Sequence, residues 1–139
     1  MTRPLVLLVN GNSHEALTER MARLAREKLG AMMDVEQMTI AQAPPFVSSR
    51  AEAAHAASAI LRAVHRRVSE AAKPTPNVIM LACFGEPGLL ALRDMLPMPV
   101  TGMVEASVHT VLQLGRRVSI LTSGRDWPAQ IEDLLDVYG

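Results

Sequence analysis

Val78-Ile79-Met80-Leu81-Ala82-Cys83-Phe84-Gly85-Glu86-Pro87-Gly88-Leu89 carries three kinds of local signal in one short stretch. The aliphatic run at its start reads as a strand buried on both faces. The Gly and Pro residues after it are turn formers. Leu89-Leu90-Ala91-Leu92-Arg93 then reads as the opening of a helix. A strand, a turn and a helix in that order are the unit of an α/β protein. Cys83, the single cysteine of the chain, falls where the strand ends. A thiol aimed at a helix N-terminus feels the positive end of the helix dipole, which lowers its pKa and makes it a base or nucleophile. The commoner role of a lone cysteine is a small buried hydrophobe, so its neighbours must decide.

Moving outward, apolar runs alternate with helical patterns. Strands are expected at 5–9, 35–40, 77–82, 100–103 and 118–122. The second run, Val35-Glu36-Gln37-Met38-Thr39-Ile40, mixes polar and apolar residues and suits a sheet edge. Asn12 and Glu15 fit a capping box opening the first helix, with Leu17, Met21, Leu24 and Leu29 as its buried stripe and Gly30 as its C-terminal cap. Ser49 and Glu52 repeat the capping box, and Pro74 and Pro76 are expected to end the second helix. Glu86-Pro87 opens a third helix, a fourth covers 105–114, and Asp126-Trp127-Pro128 opens a fifth. With right-handed crossovers this order predicts a three-layer α/β/α domain over residues 1–139, with a mostly parallel five-stranded sheet of flavodoxin-like order 2-1-3-4-5. The one long connection, 41–48, contains Pro44-Pro45-Phe46 and suggests a functional edge.

Composition narrows the class. The 139 residues are 49% hydrophobic and 20% charged, enough for one sizeable core. That core is aliphatic, with nine Met but only two Phe, one Tyr and one Trp. Fourteen basic residues balance fourteen acidic ones, which argues against a nucleic-acid surface. No apolar run reaches the ~20 residues of a membrane span. The N-terminal run reads as a strand rather than a signal peptide. One cysteine excludes an internal disulfide framework, and together these points predict a soluble cytoplasmic protein.

In a sheet of this kind ligands bind beyond the carboxyl ends of the strands. Those ends gather Asn10, Asn12 and Ser13 after the first strand, and Phe46 and Ser48 after the second. Cys83, Phe84 and Gly85 follow the third, Glu105 the fourth, and Thr122 and Ser123 the fifth. Asn and Ser side chains with backbone N–H groups suit a carboxylate or a cyclic imide oxygen. Each group also has a plain structural use: turn chemistry for 10–12, helix entry for 122–124, helix capping for Glu105. The four His show no i,i+4 pairing with each other or with Cys83, so no metal is expected. His55 and His65 read as solvated, whereas His14 lies beside the expected pocket. There is no P-loop pattern, no phosphate-cradling first loop for FMN, and no Arg six residues after the Cys as a tyrosine phosphatase requires.

Four segments in order resemble the aspartate/glutamate/hydantoin racemase superfamily, most closely its hydantoin racemase branch. They are Leu8-Val9-Asn10-Gly11-Asn12-Ser13, where the family has Asn-Pro-Asn-(Thr/Ser); Pro45-Phe46-Val47-Ser48-Ser49-Arg50; Ala82-Cys83-Phe84-Gly85-Glu86-Pro87-Gly88-Leu89; and Pro99-Val100-Thr101-Gly102-Met103-Val104-Glu105-Ala106 with Leu114-Gly115-Arg116-Arg117-Val118-Ser119-Ile120-Leu121-Thr122-Ser123. The resemblance implies cofactor-independent chemistry at a carbon next to a carbonyl. One thiolate removes the Cα proton of an amino acid or hydantoin, and a second thiol returns it from the opposite face. It matches Cys83 to the first of the two cysteines, Asn10 and Ser13 to contacts with a substrate carboxylate or ring oxygen, and Thr122 and Ser123 to the polar pair that opens the family's second half.

The family's second cysteine has no counterpart in these 139 residues. The resemblance covers the first of two similar halves plus the strand and helix that begin the second. Four explanations fit: part of a longer enzyme, two chains pairing so that their Cys83 residues face each other, a one-base reaction, or a non-catalytic domain that binds a small ligand or dimerises. Exposed apolar surface around the fourth and fifth elements is expected to favour a homodimer or higher oligomer.

Overall fold

The computed structural model describes residues 3–122 and 124–138. Four parallel strands, β1 (Leu5–Asn10), β2 (Asp34–Thr39), β3 (Val78–Leu81) and β4 (Val100–Gly102), form one sheet in the order β2-β1-β3-β4. Helices α1 (Glu15–Leu29), α2 (Arg50–Val68), α3 (Leu89–Met95), α4 (Met103–Leu112) and α5 (Trp127–Tyr138) complete the described elements. The α/β class, the parallel sheet and the order of its first four strands are those expected. The fifth strand is not there: residues 118–122 pair with no described strand, and Leu121 is 99% exposed. An apolar run becomes a strand only when a neighbour takes its backbone hydrogen bonds, and none does so for this run among the described residues.

β1 lies between β2 and β3, so its residues are covered on both sides. Leu7 and Val9 join Ile79, Leu81 and Cys83 in one core with Ile60 and Val64 of α2 and Leu89 and Leu92 of α3. The chain leaves β1 for β2 and then crosses back to β3, so right-handed connections put α1 and α2 on opposite faces. β2 is the mixed edge strand, and Glu36 on it receives a bidentate pair from Arg67 of α2 at 2.6 Å for each bond.

Helix boundaries differ from the sequence expectations for identifiable reasons. α1 is capped by His14, which accepts from the Leu17 N–H, because Asn12 Oδ1 is already engaged by Asn10 Nδ2 and the His14 N–H. Its buried residues are Thr18 and Ala22, whereas Leu17 and Leu24 are exposed. The small residues let α1 approach the sheet, and the Thr18 hydroxyl bonds both Asn10 and Thr39. α2 has the full Ser49–Glu52 capping box but ends at Val68, well before Pro74. α3 starts at Leu89 after a Gly88 cap, and α4 starts at Met103 rather than Glu105.

Candidate active site

The carboxyl ends of β1 and β3 open into a cavity of about 650 Å³. Cys83 stands at its base immediately after β3, with Ala82 and Phe84 beside it. Asn10 and Asn12 come from the end of β1, Phe46, Val47 and Ser48 from the long loop, and Leu17 and Met21 from α1. Met103, Leu121, Thr122, Gly124 and Trp127 form the remaining wall. Of the residues expected from sequence, the structure therefore brings together Asn10, Asn12, Phe46, Ser48, Cys83, Phe84 and Thr122. No charged side chain lines the cavity among the described residues.

Three expected residues do other work, and a fourth, Ser123, lies outside the described residues. The Ser13 N–H donates to the Pro44 carbonyl at 3.2 Å and so ties the first loop to the long one. Gly85 has φ +104 and packs so closely under Trp127 that a Cβ would overlap the indole. Glu105 is held by Arg93, whose guanidinium keeps its carboxyl below the usual carboxylate range.

The local contacts of Cys83 are tight. A Cβ at Gly11 would stand 2.8 Å from Cys83 Cβ and 2.9 Å from Sγ, so only glycine fits there. The thiol is 5% exposed. Burial pushes its pKa up to about 11; the Gly11 N–H works in the opposite direction, and the negative charge of Glu86 adds to the rise. This reverses the sequence expectation of a lowered thiol pKa. The physical reason is position: the turn at 84–88 separates Cys83 from α3, a helix of only seven residues, so dehydration outweighs any dipole.

The first loop is preorganised. Asn10 is fully buried and its Nδ2 bonds Asn12 Oδ1, the His14 carbonyl and Thr18 Oγ1. Two donors converge on Asn12 Oδ1, which fixes the orientation of that amide. Asn12 Nδ2 has no hydrogen-bond partner among the described residues, and it belongs to a side chain on the cavity wall.

Sequence reasoning missed the apolar wall of Leu17, Met21, Met103, Leu121 and Trp127. It also missed Glu86, whose 4% exposure and φ of +50 are rare for a glutamate. Its Oε1 accepts from the Glu105 N–H at 2.9 Å and its Oε2 from the Tyr138 hydroxyl. The position of Glu86 between Gly85 and Pro87-Gly88 was a usable signal of a tight turn; its distant partners were not.

The sequence pattern of the Asp/Glu/hydantoin racemase family matches residues 6–139. The chain belongs to this family. It is 31% identical over 104 residues to the hydantoin racemase of Paenarthrobacter aurescens, covering 75% of this chain and 43% of that protein. To the hydantoin racemase of Pseudomonas sp. (strain NS671) it is 27% identical, covering 96% of this chain and 52% of that one. The solved allantoin racemase from Klebsiella pneumoniae superposes with a TM-score of 0.89 at 26% identity, over 97% of this chain and 54% of its own. The allantoin racemase from Pseudomonas fluorescens gives 0.87 at 27%, over 96% and 55%. This racemase-family chain thus spans about half the length of the relatives it matches. Among the described residues no cluster of three His, Cys, Asp or Glu could hold a metal, and no helix is long and apolar enough to cross a membrane.

Proposed function

We propose that the chain forms one side of a racemase-type site in which Cys83 exchanges the proton on a carbon next to a carbonyl, in a neutral cyclic amide of the hydantoin kind. The observation that carries this reading is the cavity: a thiol at the end of β3, a fixed amide donor at Asn12, and walls without a charged side chain. A free amino acid brings a carboxylate and an ammonium into the site, and burying either without a partner is costly. At neutral pH a hydantoin ring brings only neutral N–H and C=O groups. The relatives named as hydantoin racemases agree with that substrate class.

In the proposed step Cys83 as thiolate takes the ring Cα proton and becomes a thiol, while the electron pair moves onto the adjacent carbonyl oxygen. Asn12 Nδ2 stabilises that oxygen as charge develops. Return of the proton to the same face regenerates the starting enantiomer; inversion needs a proton donor on the opposite face. The chemistry is carried by protein side chains and requires neither metal nor organic cofactor. With the thiol held near 11, the thiolate fraction rises tenfold per pH unit below that value. Cys83-dependent exchange therefore rises with pH from neutrality and levels near pH 11.

We place the opposite-face donor on a second copy of the chain or on a segment equivalent to the other half of the longer relatives. Leu114 is 82% exposed, and Leu112 and Val137 are also uncovered. These side chains suit a homodimer surface. A lone cysteine working as a thiol suits the reducing cytoplasm. The second reading is a non-catalytic ligand-binding domain, and the burial of Cys83 favours it. Deuterium exchange at Cα separates the two: the enzyme reading predicts exchange that Cys83→Ala abolishes, and the binding reading predicts ligand affinity without exchange in either protein.

A further inference from the structure

We infer that Glu86 is the positioning residue of the Cys83 turn: its buried carboxylate, clamped between the Glu105 N–H and the Tyr138 hydroxyl, holds the thiol against Gly11 and presents a negative charge to it. The inference rests on the reading of Cys83 as the reacting group.

The geometry is specific. The Glu86 N–H donates to the Cys83 carbonyl at 3.0 Å, closing the turn that follows β3. The backbone of Glu86 is left-handed at φ +50, a conformation that a side chain this large adopts only when its surroundings enforce it. Those surroundings are three separate elements. Gly102, at the end of β4, leaves the room: a Cβ there would overlap the carboxylate. Glu105, in the first turn of α4, gives its N–H to Oε1, so the carboxylate also sits favourably at that helix end. Tyr138, in the last turn of α5, gives its hydroxyl to Oε2. One side chain thus ties the thiol-bearing turn to β4, α4 and α5.

The groups facing this carboxylate are Tyr138 and Glu105, with Arg93 bound to Glu105 and His109 edge-on to Tyr138 at 6.3 Å. Glu105 and Arg93 neutralise each other, so the charge that Cys83 feels from this cluster is that of Glu86, which opposes a thiolate. The Tyr138 phenol is pushed above its ordinary pKa by burial and then by the Glu86 carboxylate, so it stays a donor throughout.

The chain has one cysteine, so alkylation by iodoacetamide reports on Cys83 alone. The test is its rate against pH in the wild type, Glu86→Gln and Tyr138→Phe, with circular dichroism to confirm folding. Glu86→Gln keeps the shape and removes the charge. The midpoint is expected to fall by about half a unit or more, which is roughly threefold faster alkylation at pH 8. A folded Glu86→Gln protein whose midpoint equals that of the wild type overturns the inference. If that variant does not fold, Tyr138→Phe decides: faster alkylation at every pH supports the clamp, and the wild-type rate overturns it. The assay needs no substrate, so a shifted midpoint without any Cα exchange would count against the racemase reading and leave the role of Glu86 standing.

Discussion

Two regions of the molecule are built to different standards. The side made by β1, β2, β3 and α2 is closed on itself: Leu7, Val9, Ile60, Val64, Ile79 and Leu81 are buried, and the Arg67–Glu36 pair spans strand and helix with Arg67 only 3% exposed. The side made by α4, the 113–122 segment and α5 leaves Leu112, Leu114, Leu121 and Val137 in water. A buried core needs no partner, whereas uncovered aliphatic side chains suit one. Cys83 and Asn12 thus sit beside the closed region. Under the proposed function, a second surface covers the open side.

This contrast can be broken from either side. The largest effect is expected at the chemistry itself: Cys83→Ala should lower Cα exchange of a hydantoin by about 10³-fold, read by NMR in D₂O. Next comes the finished side. Glu36→Ala strands the buried Arg67 guanidinium and should cost about 3 kcal/mol in urea unfolding. Since Arg67 lowers the Glu36 pKa, this contribution is present above the ordinary carboxylate pKa and is lost as pH falls through the depressed one.

The buried thiol gives an effect of opposite sign. The native state holds the Cys83 proton more tightly than the unfolded chain, up to about 11 against 9.0. Stability is therefore full below pH 9 and declines toward pH 11, by about 2–3 kcal/mol. Cys83→Ala should remove that alkaline slope, seen as thermal unfolding at pH 8 and pH 10.5. Ser49→Ala, which removes one half of the α2 capping box, should cost about 1 kcal/mol. Smallest is the unfinished side: Leu114→Ser should change unfolding of the monomer by less than about 0.5 kcal/mol, while weakening self-association in sedimentation. A large stability loss there would show that this wall is a core in its own right.

What the sequence revealed follows the same division. β1 and β3 were legible because both faces of a central parallel strand are apolar, and that leaves an unbroken aliphatic run. β2 was legible as an edge by its mixed pattern. The run 118–122 has the same composition as a buried strand, and what it lacks is a neighbour, which composition does not encode. Leu17 and Leu24 fit a helical stripe, but the small Thr18 and Ala22 face the sheet because the polar contact among Thr18, Asn10 and Thr39 draws the helix in. Residues at strand ends share the cavity because topology brings them together. Trp127 and Leu121 reach the cavity from far along the chain, and Glu86 is buried only because Gly102 leaves room for it. The thiol pKa is raised rather than lowered because Cys83 is buried and the turn at 84–88 stands between it and α3.

The most direct measurement is the rate of Cα deuterium incorporation into a 5-substituted hydantoin in D₂O from pH 7 to pH 10.5, with Cys83→Ala as control. The account predicts exchange above the control that climbs about tenfold per pH unit at first and flattens toward pH 11. Exchange equal to the control at every pH would contradict it.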